Sequence, residues 1–422
     1  MTQPVSPLPP RKSKRHEARL GASPFGPNLP SILIALAYLL AVFVWLVAGD
    51  LMPGGRWFAV HLFTLGFLTN LILTLSHHFA LTVTRTDRTI SPWWPAVINT
   101  GIILVLYGLP QERLALMIAG ATITIGSVSV AYLRLRRMRR QAVGARFSFV
   151  VRIYERAHGA FIHGAILGAL VGANVVSGAW WGSVRLAHLH ANVFGWAGLT
   201  LIATLVFFGP TMAHTKIRPG ADSDAVPVLK YGAHALTVAL GFLIFTGIGG
   251  LTGTLMRVTA AIFLGIFAYA ITRVCVPVYR AVYAARPSAQ RPLVIALTVW
   301  FPLVVWTDVL VVATAQWRWL DGVGAAAFTG VLGQAVLATL LYLAPLLRGR
   351  TAHARELIRT RLEVLARTRA FAVSIGAMCV SIGAFRVGAS SSFATVGFAL
   401  LGIVVAWGVI AVLRPANGLE MA

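Results

Sequence analysis

The sequence is poor in charged residues. Only 11% of its 422 residues are Asp, Glu, Lys or Arg, whereas 58% are hydrophobic. Soluble domains carry roughly a quarter charged residues, so this composition excludes an ordinary soluble protein. Together with a mean hydropathy of +0.79, it predicts an all-α, polytopic helix bundle embedded in a lipid bilayer.

Cysteine is also scarce. Cys275 and Cys379 are the only two cysteines, and both lie in apolar segments. This excludes a disulfide framework, and the lack of a C-x-x-C-H motif excludes covalent haem attachment. Any haem in this protein is therefore expected to be bound non-covalently.

Acidic residues are few as well, so the net charge is +24, from 36 Lys and Arg against 12 Asp and Glu. Most of the basic residues are arginines clustered in the N-terminal tail and in a few loops, which is the positive-inside pattern of membrane proteins. We therefore expect no nucleic-acid partner. Residues 1–28 have no apolar core and are predicted to be a disordered, basic cytoplasmic tail, not a cleaved signal peptide.

Apolar runs long enough to cross a bilayer fill residues 29–414, which we predict to form a single transmembrane domain followed by a short tail, 415–422. Strongly basic loops alternate with loops that hold one or two charges, which predicts twelve spans with both termini in the cytoplasm, in the inner (cytoplasmic) membrane. The stretch 352–368 has helical periodicity and is expected to be a cytoplasmic surface helix. The predicted spans are 30–48, 58–82, 94–109, 114–133, 157–178, 186–209, 231–250, 255–277, 292–314, 323–346, 370–387 and 391–413.

Histidine is concentrated in or next to these spans. Ionisable groups at membrane depth are costly and usually have a function, and neutral imidazole is a common ligand of haem iron and copper. With the predicted orientation, one set lies near the outer face and comprises His61, His188 and His190. A second set lies near the inner face and comprises His77, His78, His158, His163 and His234.

A four-span unit recurs along the chain. Spans 2 and 6 share the pattern His-x4-Gly-aromatic, at His61 with Gly66 and, 129 residues later, at His190 with Gly195. Span 10 continues the series at a shift of 135, with Ala325 in place of the histidine and Gly330 in place of the glycine. The sequence therefore predicts three pseudo-repeats of four spans.

The repeated glycines have two interpretations. A glycine lets either a flat cofactor ring or a neighbouring helix approach the backbone closely. We include Gly66 and Gly195 among the candidate cofactor-binding residues, although helix packing is the commoner use of such positions.

Two motifs carry a resemblance to a known family. One is His61-x4-Gly66-x2-Thr69-Asn70-x-Ile72-Leu73-x2-Ser76-x-His78-Phe79, and the other is His188-x-His190-x-Asn192-x2-Gly195-Trp196-x-Gly198-Leu199-Thr200. On these motifs the chain resembles NnrS-type haem- and copper-containing membrane proteins, distant relatives of haem–copper oxidase subunit I. It is most similar to those associated with copper nitrite-reductase-like proteins.

The resemblance implies haem b and, as a second cofactor, copper. It also departs from the oxidases, because span 10 lacks histidine and span 7 has only His234. No cupredoxin-like segment follows the last span, so nitrite chemistry would need another chain. Whether the protein is itself an oxidoreductase stays open.

Two metal sites are expected from the histidines. His188 and His190 lie about 200° apart on an ideal helix, so only one faces the bundle, and the repeat favours His190. The outer site is expected to draw on His61, His188 and His190, and the inner site on His78, His158 and His163, with His77 facing elsewhere.

One acidic residue lies within the ninth span. Asp308 is either part of a proton path, a buried partner for a cation such as Arg386, or an interfacial residue.

Three functional hypotheses follow. The first is a haem-binding membrane protein of nitrogen-oxide or respiratory metabolism, which binds a diatomic ligand such as nitric oxide or passes electrons from quinol to an external cupredoxin or nitrite-reductase partner. The second is a proton-coupled membrane transporter whose histidines relay protons. The third is a metal-free membrane subunit that anchors another protein.

Overall fold

The fold is an all-α bundle, as predicted. A computed structural model describes residues 28–49, 54–86, 93–142, 147–349, 351–385 and 392–414, and these contain thirteen helices and no strand. Ten of the helices in the described part are long and apolar enough to cross a membrane. The chain is therefore a multi-pass membrane-type protein.

The helices fall into three consecutive units of four. The first unit contains α1 (Leu29–Ala48), α2 (Gly55–Thr84), α3 (Trp94–Gly108) and α4 (Leu114–Gln141). The second contains α5 (Ser148–Gly172), α6 (Gly178–Met212), α7 (Ala221–Ile248) and α8 (Gly250–Tyr283). The third contains α9 (Arg291–Thr314), α10 (Trp317–Arg348), α12 (Ala366–Phe385) and α13 (Ser392–Leu413), with the short α11 (Ala352–Glu363) inserted after α10.

Every predicted span corresponds to one of these helices. α3 has only 15 residues, which makes it shorter than the ten. α5 has 25 residues but carries Arg152, Glu155 and Arg156 in its first half and is not among the ten either. The predicted surface stretch contains α11, and both begin at residue 352. The Thr351 hydroxyl caps this helix by accepting a hydrogen bond from Ala354 N at 3.1 Å. Most of the predicted tails, 1–27 and 415–422, and Arg386 lie outside the described residues.

Local sequence accounts for several helix limits. Proline stands in the first turn of α1, α3 and α9. A backbone N–H in the first turn has no acceptor within the helix, so the missing N–H of proline costs no hydrogen bond there. α2 and α9 end at residues in the left-handed conformation, Arg85 and Ala315. Gly249 and Gly250, both with positive φ, make the tight turn from α7 into α8.

The second helix of each unit contains a π-helical segment at the same repeat position. The segments are Leu62–Leu68 in α2, Ala191–Gly198 in α6 and Ala326–Gly333 in α10. They begin directly after His61, His190 and Ala325, the three residues that the sequence repeat aligned. π-segments are rare and frequently mark functional positions, so their recurrence supports the threefold repeat.

The repeated glycines pack against the first helix of their own unit. A Cβ on Gly66 would clash with the ring of Tyr38, one on Gly195 would lie 2.6 Å from Ala160 Cβ, and one on Gly330 would lie 2.6 Å from Trp300 Cε3. Neither Gly66 nor Gly195 lines the large cavity described below. Helix packing takes up the space that these two glycines leave, and their role as cofactor-binding residues stays a prediction.

The contacts between units are unequal. α4 packs along α5, and α8 packs along α9, so the first two boundaries are closed. Among the described residues, α13 does not pack along α1 in the same way. A seam therefore remains between the third unit and the first.

Candidate functional site

A large cavity of about 2080 Å³ follows this seam. Its apolar walls come mainly from α1, α2, α10 and α13, and it extends inward to α5 and α6. Small-molecule sites typically occupy about 300–1,000 Å³, so the cavity is large enough for a sizeable cofactor. Most of its charged side chains lie at the end of the bundle that holds His61, which we call the His61 end, and these are Arg56, Glu112, Arg185, Arg318 and Asp321.

His61 is held in the cavity wall by its own helix. It is the last residue before the π-segment of α2. Its Nδ1 lies 2.8 Å from the carbonyl oxygen of Trp57, and its ring stacks on the Trp57 indole at a centroid distance of 4.2 Å. These two contacts fix both the position and the plane of the ring.

His188 reaches the same wall from α6. Its Nδ1 lies 2.7 Å from the carbonyl oxygen of Gly164 in the neighbouring α5. Asn192 donates from Nδ2 to the His188 carbonyl oxygen at 2.9 Å, and the same Nδ2 lies 3.3 Å from His188 Nδ1. The carbonyl oxygen of Gly164 can only accept a hydrogen bond, and its contact with His188 Nδ1 is the shorter of the two that this nitrogen makes. The proton of the ring therefore lies on Nδ1.

His61 and His188 form a pair. Their ring centroids are 6.4 Å apart and their planes differ by 13°. Both Nδ1 atoms donate to carbonyl oxygens, so the lone pair of each neutral ring lies on Nε2. Within the described residues neither Nε2 has a hydrogen-bond partner, and both side chains line the cavity. This is the arrangement in which histidines ligate metals.

His190 does not join this pair. Its Nδ1 donates to the Leu186 carbonyl oxygen at 2.9 Å, and its Nε2 lies 2.9 Å from Asp308 Oδ2. Both side chains are almost fully buried, at 3% and 2% exposed. Each ring nitrogen already has a partner, so no lone pair is available for a metal. The structure therefore places His188, and not the sequence-favoured His190, opposite His61.

Asp308 lies buried in α9 and is paired with another side chain, which agrees with its interpretation as a buried partner. Its partner is a histidine, and the predicted Arg386 lies outside the described residues.

The histidines at the opposite end, the His77 end, are not gathered as expected. His78 is bonded to Asn28 at 3.2 Å, and the side chain of His163 is exposed. His158 is buried, with Nδ1 2.7 Å from the Tyr154 carbonyl oxygen, and it shares a cavity of about 10 Å³ with His77. The structure thus brings His158 together with His77, the histidine that was expected to face elsewhere, in a cavity that neither His78 nor His163 lines.

The ligand sets decide which cofactor fits. The described residues contain no group of three or more His, Cys, Asp or Glu side chains that could hold a metal ion. The trio at the outer site and the trio at the inner site are therefore not assembled as sets of three. A haem needs only one or two protein ligands, because the macrocycle supplies the others. The His61–His188 pair fits that requirement.

Sequence reasoning missed two features of the site. Trp57, which stacks on His61, carries no signal that separates it from the other tryptophans near span ends. Gly164 and Gly168 of α5 are spaced as a small-xxx-small motif and mark a close helix contact, in which Gly164 accepts the His188 hydrogen bond and Gly168 leaves space for the ring.

No protein-family model matches this chain, and a comparison with curated proteins found no similar sequence.

Proposed function

We propose that this protein is an integral membrane haem-binding protein, in which His61 and His188 hold a b-type haem non-covalently. The observation that carries the proposal is the pair itself, two near-parallel imidazoles on the wall of a large apolar cavity, whose Nε2 atoms have no hydrogen-bond partner among the described residues. The resemblance of the two histidine motifs to NnrS-type proteins supports the same cofactor.

His61 and His188 would hold the haem through their imidazoles, whose ring centroids are 6.4 Å apart and whose planes differ by 13°. Backbone carbonyls hold both Nδ1 atoms, which keeps each Nε2 in the ligating tautomer.

The ligand pair favours electron transfer over binding of a diatomic molecule. A haem held here would supply one-electron redox chemistry, and His61 and His188 together would provide both of the protein ligands that its iron takes. The residues of this chain hold and orient the cofactor, and the apolar cavity walls exclude water from it. Within the proposal, the protein lies in the inner membrane and passes electrons from a quinol to an external cupredoxin or nitrite-reductase partner.

An optical spectrum of the purified protein tests the proposal. Protein from haem-supplemented cells should show the Soret band and the reduced α-band of a low-spin b-type haem, with iron as the main bound metal. A colourless protein would overturn the proposal. A colourless protein that contained copper would instead support the copper alternative.

The pair His190–Asp308 favours a second candidate, a proton-coupled transporter. A buried imidazole–carboxylate pair at membrane depth is typical of proton relays. Proton uptake by proteoliposomes, driven by a solute gradient and lost in Asp308→Asn, would favour this candidate. Such uptake by a colourless protein would exclude the haem proposal.

A further inference from the structure

His188 is held differently from four other histidines of the bundle. The Nδ1 atoms of His61, His158, His190 and His234 all bond to the carbonyl oxygen four residues earlier in their own helices. His188 instead bonds to Gly164, 24 residues earlier and on α5. The place of its ring therefore depends on how α5 packs against α6.

The face of α5 that meets His188 is built from two glycines one helical turn apart. Gly164 supplies the carbonyl oxygen. Gly168 supplies space, because a Cβ at this position would lie 2.6 Å from Cε1 and 2.7 Å from Nδ1 of His188. Such distances lie far inside van der Waals contact, so the imidazole occupies volume that only glycine leaves open.

Asn192 completes this surface. Its side chain packs over Gly164, where a Cβ would lie 2.5 Å from Asn192 Nδ2, and it donates to the His188 carbonyl oxygen. The ring of His188 is thus enclosed by α5 on one side and by its own helix on the other. Its Nε2, which has no hydrogen-bond partner in the described part of the chain, points away from the carbonyl of Gly164 because it lies across the ring from Nδ1.

We propose that Gly164 and Gly168 are positioning residues, which set the His188 ring at the distance from His61 that a shared ligand requires. The inference rests on the proposed function, since it concerns the ligand pair of that site. Metal–ligand bond lengths tolerate deviations of only about 0.2 Å. A methyl group on residue 168 displaces the ring by more than that, so the bond from His188 should fail while His61 keeps its ligand.

The variant Gly168→Ala tests this, with Gly159→Ala as the matched control. Both glycines lie in α5, but a Cβ on Gly159 would meet nothing within 4 Å. Gly168→Ala should retain bound haem, lose most of the low-spin spectrum, and gain binding of carbon monoxide by the reduced protein. Gly159→Ala should have the spectrum of the wild type and should not bind carbon monoxide.

Added imidazole separates positioning from general damage to the bundle. It should restore the low-spin spectrum of Gly168→Ala by replacing the displaced ring. In His188→Gly without added imidazole, adding Gly168→Ala should change nothing further, because the ring that it displaces is absent. A further loss of bound haem in this double variant would show that Gly168 acts elsewhere and would overturn the inference.

The two proposals fail in different ways. A colourless wild type overturns the proposed function. A coloured, low-spin wild type with an identical spectrum in Gly168→Ala overturns only the positioning role. If Gly168→Ala does not fold, Gly164→Ala takes its place, since it disturbs the same contact through Asn192, and an unchanged spectrum there contradicts the inference in the same way.

Discussion

His61 and His190 occupy equivalent positions in the first and second units, yet their surroundings give them different chemistry. Each directly precedes a π-segment, and each donates from Nδ1 to the carbonyl four residues earlier. His61 Nε2 belongs to a ring on the cavity wall, whereas His190 Nε2 is bonded to Asp308. The helix fixes the first nitrogen in both cases, and the neighbouring helix decides what the second one does.

The third unit has the same backbone at this position but lacks the histidine side chain. Ala325 stands where the other units have histidine, although the π-segment and the glycine after it are kept. The backbone of the repeat is therefore preserved independently of the imidazole. A repeat in the sequence predicts where a side chain starts but not what it contacts.

The largest expected effect is the loss of the haem spectrum when a paired histidine is removed. His61→Ala and His188→Ala should each abolish the low-spin spectrum, because each removes one Nε2 of the pair. His190→Ala should keep the low-spin haem, since neither nitrogen of His190 is free. Optical spectra of the purified variants check this.

The exposed histidines His214 and His353 provide controls. Their alanine variants should have the wild-type spectrum. Loss of low-spin haem in His190→Ala, with His188→Ala unaffected, would reverse the comparison and restore the ligand that the repeat favoured.

A smaller effect is expected on stability when the His190–Asp308 pair is broken. Asp308→Ala leaves a buried imidazole without its partner, which typically costs about 3 kcal/mol. Thermal unfolding in detergent should show a clear decrease in midpoint. Asp321→Ala is the matched control, because its pair with Arg56 is largely exposed and such pairs contribute about 0–1 kcal/mol. Equal midpoints for the two variants would mean that the buried pair does not stabilise the bundle.

The smallest expected effect is a loss of stability when the glycine present in all three units is replaced. Gly330→Ala places a methyl group against the Trp300 ring, and overpacking of this kind costs about 1–3 kcal/mol. Gly324→Ala, in the same helix but facing open space, should be neutral. Thermal midpoints of the two variants compare them directly, and a neutral Gly330→Ala would argue that the repeat position is not a packing contact.

The fold could be read from the sequence because its determinants are local. Apolar runs and the His-x4-Gly pattern predict the twelve helices of the three units, although α3 and α5 are not among the ten described helices that are long and apolar enough to cross a membrane. The histidine contacts could not be read in this way. An ideal α-helix places His188 and His190 about 200° apart, but it cannot reveal that Asp308 of α9 binds one of them.

The π-segments also affect which way the histidines of the His77 end face. One lies between His61 and the pair His77 and His78 in α2. A π-bulge inserts one residue and shifts everything after it by about one position, or roughly 100°, relative to an α-helix. Which of two adjacent histidines faces the bundle then depends on a local irregularity that hydrophobic periodicity does not resolve. The structure buries His77 and leaves His78 partly exposed.

The division of the site among three units also fixes the order in which a ribosome makes it. His188 follows His61 by 127 positions (61 to 188), which corresponds to roughly 6–25 s at typical synthesis rates of about 5–20 residues per second. Asp308 and the walls contributed by α10 and α13 are translated later still. The nascent chain therefore holds both halves of the histidine pair before the third unit exists to complete the cavity around them.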